Sequence, residues 1–207
     1  PPSTTLLSSA ASDVYKRQLD DPSAFVEISD GIAIPGNLEL SEEQKSLRVQ
    51  SFFQPYHDAI QARLDSIQAR AGTPALISVH TCTPVFDRVV RPWHIGIMWD
   101  RDARIPLPLM ENLRRMDGIC IGDNEPYSGR HPHDFTVDFH AEQAGLPHVG
   151  IEVRQDLVSD DEGARKWAGI LAAALRPVLA DKALFQLLQE DPSPNADERP
   201  AAARVGP

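Results

Sequence analysis

Short runs of apolar residues, each bounded by proline, glycine or polar clusters, recur along the chain and predict buried β-strands. Stretches with apolar residues at helical spacing lie between these runs and predict helices. The strand-like runs are residues 75–84, 94–100, 119–121 and 147–155, together with residues 135–140, which alternate apolar and polar. The helical stretches are residues 41–72, 106–116 and 159–176. This order predicts an α/β fold with a mostly parallel or mixed central sheet flanked by helices.

The first helical stretch carries boundary signals at both ends. Ser41 and Gln44 form a predicted capping box at its start, and Gly72 is placed to end it. Pro55 has no N–H for the helical hydrogen-bond ladder, so we expect a kink or a break there.

The bulk composition is that of one soluble globular domain, with 207 residues of which 42% are apolar and 24% charged. The net charge of −10 disfavours a nucleic-acid or anionic-membrane partner, because both would be repelled. No apolar run approaches the roughly 20 residues that a membrane helix needs. Cys82 and Cys120 are too few for a disulfide framework, which points to a reducing cytoplasm.

The domain is expected to span residues 19–190. Residues 1–18 are rich in Ser, Thr and Pro and lack a sustained period, which fits either a foreign segment or a native disordered tail. Residues 191–207 are charged and rich in Pro and Ala, and they predict a disordered tail.

Two of the strand-like runs supply a candidate catalytic pair. His80 stands at the exit of its run, where a neutral imidazole is a common zinc donor. Glu152 interrupts an apolar run, and a buried carboxylate is costly unless it is paired or has the raised pKa of a general base. The alternatives are a core histidine bonded to backbone, and a structural pair of Glu152 with Arg154 or Arg91. Because strand ends border the ligand crevice of an α/β sheet, we expect His80 and Glu152 to share one crevice.

Other polar residues at predicted strand ends are candidates for substrate binding or for supporting the site. Asn124 lies in a Gly-Asp-Asn-Glu-Pro-Tyr turn, and His140 and Glu142 flank the end of the alternating run. Arg154 lies two residues beyond Glu152 and therefore on the same face of its strand. Each of the first three also fits a plain polar turn.

The first helical stretch adds two more candidates. Arg48 and His57 are nine residues apart, so an unbroken helix would place them on roughly opposite faces. Arg48 fits either bidentate binding of a substrate carboxylate or an exposed helix charge. His131, His133 and Asp134 could form a metal-binding loop, although a polar turn is the favoured interpretation.

Several motifs, taken in order from about residue 19 to residue 175, together resemble the N-formylglutamate amidohydrolase family. The matching pieces are Ser29-Asp30-Gly31, Ile34-Pro35-Gly36-Asn37, Pro55-Tyr56-His57, Ser78-Val79-His80 with Thr83-Pro84, Arg91-Pro92-Trp93-His94, Gly122-Asp123-Asn124-Glu125-Pro126-Tyr127, His140-Ala141-Glu142, and Gly145-Leu146-Pro147-His148-Val149 through Ile151-Glu152-Val153-Arg154-Gln155-Asp156-Leu157. That family is similar in fold to the zinc carboxypeptidases and aspartoacylases. It hydrolyses an N-acyl amino acid, typically N-formyl-L-glutamate to formate and glutamate.

The resemblance implies a Zn²⁺-dependent hydrolase in which the metal activates water. It implies that His80 is a metal ligand and that Glu152 is the base. Arg154 would then be a charge near the base or a substrate contact. The implied partner is a small-molecule N-acyl amino acid.

The chain departs from the family pattern at its beginning. Family members begin with a strand that ends in Asp-His-Ser/Ala-Gly or similar and supplies another metal-ligand histidine, and a second strand carries Asn-Arg-Pro. Here residues 14–18 read Val-Tyr-Lys-Arg-Gln, and His57 is the first histidine. We therefore expect a chain truncated at its N-terminus, lacking at least one metal ligand and inactive or nearly so, while the full-length parent is a hydrolase. The alternative from another class is a non-catalytic module that binds small acidic ligands.

Overall fold

The computed structural model describes residues 25–130 and 136–188, which fold around a four-stranded sheet. The strands are β1 (Ile28–Ser29), β2 (Ile32–Ala33), β3 (Leu76–Cys82), β4 (Val85–Phe86), β5 (Val89–Val90), β6 (Ile95–Met98), β7 (Ile121–Asp123) and β8 (His148–Arg154). The α-helices are α1 (Glu42–Arg48), α2 (Gln54–Ala71), α3 (Pro106–Arg114) and α4 (Asp161–Leu179). Shorter helical turns are Pro35–Asn37, Val49–Phe53, Asp138–Glu142, Gln155–Val158 and Lys182–Leu184.

The strand order of the central sheet is β3-β8-β6-β7. The β3 and β8 strands are parallel, as are β6 and β7, while β6 runs antiparallel to β8. The predicted α/β fold with a mostly parallel or mixed sheet is therefore confirmed, and the sheet is mixed. Because β6 is reversed, the carboxyl ends of β3 and β8 lie at one edge of the sheet and those of β6 and β7 at the other.

One face of the sheet carries the main hydrophobic core. Ile97 of β6 and Ile151 of β8 are completely buried there. They belong to one cluster with Leu109 of α3 and Trp167 of α4. Since successive strand residues point to opposite faces, the odd-numbered positions of the sheet face these helices. The even-numbered positions are left for the opposite face, which carries the candidate site.

The first helical stretch begins and ends as predicted. The Ser41 hydroxyl accepts a hydrogen bond from the Gln44 N–H at 3.2 Å, and the Gln44 side chain accepts one from the Ser41 N–H at 2.9 Å. These two bonds satisfy amide groups at the start of α1 that have no partner within the helix. Gly72 ends α2 with a φ of +89°, a conformation that side-chain-bearing residues rarely adopt.

The predicted interruption lies just before Pro55. Residues Val49–Phe53 form a wider π-helical turn, in which the Gln54 N–H donates to the Val49 carbonyl five residues back. Pro55 follows directly in the first turn of α2, and its missing N–H cannot continue the hydrogen-bond ladder. The wide turn thus separates α1 from α2.

The strand predicted over residues 135–140 is wrong. Asp138–Glu142 form a π-helical turn in which Asp138, His140 and Ala141 are buried, and residue 135 lies outside the described residues. An alternation of six residues is too short to distinguish a strand from a helical turn, so tertiary contacts decide. The strand predicted over residues 119–121 is also displaced, because β7 begins at Ile121.

Two small antiparallel hairpins, β1-β2 and β4-β5, lie outside the central sheet. They are linked where the Asp87 N–H donates to the Asp30 carboxylate at 2.8 Å. None of the described helices has the length and apolar character that a membrane crossing requires.

Candidate functional site

His80 and Glu152 lie side by side on neighbouring strands. They are direct partners in the parallel register of β3 and β8, where strands are about 5 Å apart. Both are even-numbered, so both side chains leave the sheet on the face opposite α3 and α4. Glu152 is completely buried and His80 is 7% exposed, and the His80 Nε2 lies 2.8 Å from the Ser78 hydroxyl. The structure thus brings His80 and Glu152 to one face of the sheet, while their roles as metal ligand and base stay predictions.

Two glycines lie in register with His80 and Glu152 on the neighbouring strands, so that the four residues form one row across the sheet. Gly96 of β6 is the partner of Glu152, and Gly122 of β7 is the partner of Gly96. A Cβ on either glycine would lie 2.2 or 2.3 Å from the Glu125 carbonyl oxygen, which is far too close. The absence of two side chains therefore lets the loop after β7 lie directly on the sheet beside Glu152.

Asn124 organises that loop. Its backbone has a φ of +56°, which Asn tolerates better than most residues. Its side-chain oxygen accepts hydrogen bonds from the Trp99 N–H at 3.0 Å and the Gly129 N–H at 2.9 Å. Its Nδ2 is buried and has no hydrogen-bond partner among the described residues, so it retains two N–H donors for a ligand.

The same loop brings Tyr127 next to Arg91. The Arg91 guanidinium donates to the Tyr127 hydroxyl at 3.0 Å and lies 4.8 Å from the centre of its ring. Burial raises the pKa of the Tyr127 hydroxyl, and the charge of Glu152 adds to this rise against the opposing effect of Arg91. Burial and then the charge of Glu152 likewise raise the pKa of the Cys82 thiol. Both groups therefore stay protonated near Glu152.

Sequence reasoning did not single out Arg91 or Tyr127 as site residues. Arg91 was considered only as a structural partner for Glu152, and Tyr127 only as the end of a turn motif. Arg91 is just 6% exposed, and it also donates to the carbonyl and hydroxyl of Thr83, each at 3.2 Å. The signal that could have found the pair is that both lie in motifs flanking predicted strands.

Arg154 directs its guanidinium away from the sheet row. It forms an ion pair with Asp156, with N–O distances of 2.7 and 3.1 Å. It also donates to the backbone carbonyl of Arg91 at 3.1 Å. These bonds connect the end of β8 to the segment before β6, so Arg154 stabilises the backbone at the edge of the site.

His57 and His140, which were separate candidates, are brought together. The His57 Nδ1 lies 2.9 Å from the His140 Nε2, and the His140 Nδ1 lies 3.1 Å from the Gln61 side-chain oxygen. The two rings are stacked with 20° between their planes, and the two residues are only 5% and 2% exposed.

The position of α2 places His57 on the face that carries Glu152. Leu64 of α2 belongs to a cluster against which Leu76, an even-numbered residue of β3, packs. His57 lies seven residues, or about two turns, before Leu64 on the same side of α2.

Glu142 belongs to a buried ion network rather than to the row of His80 and Glu152. Its carboxylate lies 3.2 Å from the His148 Nε2 and accepts hydrogen bonds from Arg101 at 2.9 and 3.1 Å. Burial by itself would raise the pKa of Glu142, but these hydrogen bonds outweigh it and lower the pKa to about 2. Burial likewise opposes protonation of His148, yet its hydrogen bonds to Glu142 and the Leu146 carbonyl raise its pKa.

Arg48 holds the loop before α1. Its guanidinium donates to the Asn37 side-chain oxygen at 2.7 Å and to the Gly36 carbonyl. Asn37 in turn donates to the Val26 carbonyl at 2.8 Å. The described part of the structure thus assigns Arg48 to loop packing, and its binding of a substrate carboxylate stays a prediction.

The donor set on this face does not complete a zinc site. Within residues 25–130 and 136–188, no group of three or more His, Cys, Asp or Glu side chains is arranged to hold a metal ion. Catalytic zinc takes three protein ligands, and the row on the sheet offers His80 and Glu152. The predicted metal loop with His131, His133 and Asp134 lies outside the described residues. Because the described residues do not fit a complete site, no reaction step is derived through a metal.

The sequence model of the N-formylglutamate amidohydrolase family matches residues 5–159. The chain belongs to this family. The match to the N-formylglutamate amidohydrolase family begins before residue 19, where the domain was expected to start, and the nature of residues 1–18 stays a prediction.

Two solved structures are similar to the chain. A gene product of Agrobacterium tumefaciens, Atu2144, is 28% identical with a TM-score of 0.72, over 79% of this chain and 64% of the other. An N-formylglutamate amidohydrolase from Ralstonia eutropha JMP134 is 16% identical with a TM-score of 0.53, over 68% of this chain and 56% of the other, and shows likeness of fold alone. The chain thus spans less than two thirds of either structure. No curated protein sequence matched it.

Proposed function

We propose that the protein hydrolyses the amide bond of an N-acyl amino acid, with N-formyl-L-glutamate as the expected substrate. Membership of the N-formylglutamate amidohydrolase family supports the reaction type. The observation that carries the proposal is the completely buried Glu152, one strand away from His80 on the same face. The carboxylate lies directly beside an imidazole under the loop after β7, and this combination of groups is suited to general acid–base chemistry.

Glu152 is the proposed general base. In the hydrolysis, water attacks the carbonyl carbon while Glu152 accepts a proton from that water. The carbon–nitrogen bond then breaks, and the proton passes to the leaving amine nitrogen. With N-formyl-L-glutamate the products are formate and glutamate. Exclusion of bulk water strengthens the interaction between the carboxylate and the reacting molecule.

The residues around Glu152 are proposed to bind and orient the substrate. The buried Asn124 Nδ2 is suited to donate to an acyl or carboxylate oxygen. Arg154 and Arg48 remain candidates for substrate carboxylates, although each would have to release groups that it now holds. His57 and His140 stay candidates for substrate binding or for supporting the site, and Glu142 is proposed to support it by stabilising the fold.

Zinc and a cytoplasmic location are further proposals. Zinc is proposed on the family resemblance, with His80 as one ligand. Cytoplasmic location is supported by the free thiols of Cys82 and Cys120, the latter exposed. The predicted inactivity of this chain also stays a prediction, and one bound zinc per chain after purification would refute it.

The function is tested by following glutamate release from N-formyl-L-glutamate with and without added zinc. Glu152→Gln keeps the shape of the side chain but removes the base, so where the unaltered chain shows turnover we expect it to fall by about 10²-fold or more. Glu111→Gln is the matched control, because Glu111 forms an exposed ion pair with Arg115 on α3. Full turnover in Glu152→Gln would refute the assignment. Binding of N-formyl-L-glutamate without turnover at any zinc concentration would favour the non-catalytic binding module instead.

A further inference from the structure

Arg91 lies at the base of the β4-β5 hairpin, which follows the carboxyl end of β3. Its backbone N–H donates to the Pro84 carbonyl at 2.9 Å and closes the hairpin. Its guanidinium donates to the carbonyl and the hydroxyl of Thr83, each at 3.2 Å, and the residue is only 6% exposed. These contacts hold a buried positive charge in a fixed position beyond the end of the strand that carries His80.

The guanidinium also contacts the loop after β7, which packs on the sheet beside Glu152. It donates to the Tyr127 hydroxyl at 3.0 Å, and it lies 4.8 Å from the centre of the Tyr127 ring and 5.0 Å from that of Phe86 in the hairpin. The charges of Glu152 and Arg91 act in opposite directions on the Tyr127 hydroxyl and the Cys82 thiol. Cys82 is an even-numbered residue of β3 and lies on the same face as Glu152. Arg91 is therefore close to the face that carries the proposed base.

Arg91 and Tyr127 retain hydrogen-bond donors for a ligand. A guanidinium has five N–H groups, and in the part of the chain that the structure describes three of its bonds go to oxygens of Thr83 and Tyr127. The Cys82 sulfur, a further contact, is only a weak acceptor. Since Tyr127 accepts from Arg91, its own O–H is left to donate, and burial raises the pKa of this hydroxyl and keeps it protonated.

A carboxylate is the group that fits these donors. The oxygens that bind the guanidinium within residues 25–130 and 136–188 are uncharged, whereas a carboxylate binds a guanidinium with a charge-assisted and often bidentate contact. The net charge of −10 repels an acidic ligand, so such a ligand needs a cation where it binds. Arg154 is already paired with Asp156. Arg91 has a hydrogen-bonding edge that is better suited to this task.

We propose that Arg91 and Tyr127 bind a carboxylate of the substrate beside Glu152 and thereby select acidic N-acyl amino acids. Arg91 forms the ion pair, while Tyr127 donates its O–H to the same carboxylate and orients the guanidinium. The inference deepens the proposed function and rests on it for the reaction, whereas recognition of the carboxylate is measured by binding alone. N-formyl-L-glutamate has an α-carboxylate and a side-chain carboxylate of the same chemistry, and ligands that lack one of them identify which is bound.

Calorimetric titration of the whole chain with three ligands tests the inference. N-formyl-L-glutamate carries both carboxylates, N-formyl-L-glutamine only the α-carboxylate, and N-formyl-L-isoglutamine only the side-chain carboxylate. In Arg91→Met we expect the Kd to rise about thirtyfold or more for N-formyl-L-glutamate and for the one other ligand that keeps the recognised carboxylate. The Kd of the third ligand should stay the same. Arg115→Met is the matched control, because Arg115 is exposed and pairs with Glu111 near the end of α3, and it should leave all three Kd values unchanged.

Two more variants separate ligand binding from the role of Arg91 in holding the hairpin. Tyr127→Phe keeps the aromatic ring and removes only the hydroxyl, so we expect the Kd to rise about threefold to tenfold for the same two ligands. Arg91→Lys keeps the charge but loses the planar fork, and it should recover part of the affinity that Arg91→Met loses. Urea unfolding of each variant confirms that the titrated chain is folded.

Equal weakening of all three ligands in Arg91→Met and Tyr127→Phe would show that Arg91 only supports the fold and would overturn the inference. Failure of all three ligands to bind the unaltered chain would overturn it as well. Turnover of N-formyl-L-glutamate with a KM that Arg91→Met leaves unchanged would overturn the inference while sustaining the proposed function. Binding that depends on Arg91 without turnover would support the inference independently of the reaction.

Discussion

The buried ion pair of Glu142 and His148 predicts how stability depends on pH. The Glu142 side chain is 6% exposed and the His148 side chain 1% exposed, so solvent screens the pair little. Glu142 keeps its charge in the folded chain down to a pKa of about 2, against an ordinary value of 4.5. In Glu142→Gln an amide replaces the carboxylate, so the difference between the folded-state pKa and the ordinary pKa no longer contributes to stability.

The magnitude follows from the linkage between protonation and folding. Each pKa unit corresponds to about 1.4 kcal/mol, so the ionised Glu142 contributes about 3 kcal/mol of stability at neutral pH. Its folded-state pKa is lowered, so this stability is present above 4.5 and is lost as the pH falls toward 2. Between about pH 6 and about pH 3 the loss is about 2 kcal/mol.

His148 produces the opposite trend on the alkaline side. Its pKa is raised above 6.5 by its hydrogen bonds to Glu142 and the Leu146 carbonyl, against the effect of burial. Its contribution is therefore complete below 6.5 and is lost as the pH rises through the folded-state pKa. The pair should thus give a stability maximum on the acid side of neutrality.

Urea unfolding followed by tryptophan fluorescence at a series of pH values measures both trends. We expect the stability difference between the unaltered chain and Glu142→Gln to shrink by about 2 kcal/mol on going from about pH 6 to about pH 3. Glu111→Gln, which alters an exposed carboxylate, should run parallel to the unaltered chain. Parallel curves for Glu142→Gln as well would show that Glu142 is not the buried, charged partner of His148.

Two further predictions concern the packing of the loop over Glu152 and the reactivity of the two thiols. Gly96→Ala places a Cβ 2.2 Å from the Glu125 carbonyl, so we expect urea unfolding to show a loss of roughly 1–3 kcal/mol. Gly169→Ala, where a Cβ meets nothing within 4 Å in α4, should instead add up to about 1 kcal/mol, and equal effects would contradict the close approach. Cys120 is exposed, whereas Cys82 is buried and its pKa is raised by burial and by the charge of Glu152. A thiol reagent should therefore modify Cys120 first, with equal rates only after unfolding.

Local patterns predicted the elements whose signals are contained within a few residues. The capping box at Ser41 and Gln44 and the end of α2 at Gly72 depend on side chains and dihedral angles at those positions, so they were read correctly. The π-helical turn at Asp138–Glu142 was misread because its contacts are distant in sequence. His140 binds His57, which lies 83 residues away.

The glycines of the sheet row show a signal that was present but unused. An isolated glycine inside a strand indicates a bulge or a close approach of backbone. Gly96 and Gly122 make room for the Glu125 carbonyl; Gly96 stands in a predicted strand and Gly122 directly follows one. Which backbone segment packs against a glycine, however, cannot be predicted from the residues next to it in the sequence.

The sequence alone determined the hydrophobic periodicity, the helix boundary residues and the interruption of apolar runs by His80 and Glu152. Each of these patterns depends on residues that are only a few positions apart. They were enough to predict an α/β fold and to single out an imidazole and a carboxylate. Only the tertiary structure decided that β6 runs antiparallel to β8, that His80 lies beside Glu152 and His57 beside His140, and that Glu142 contacts His148. Strand register and side-chain partners join residues many positions apart, and only packing of the whole domain selects among the combinations that local preferences allow.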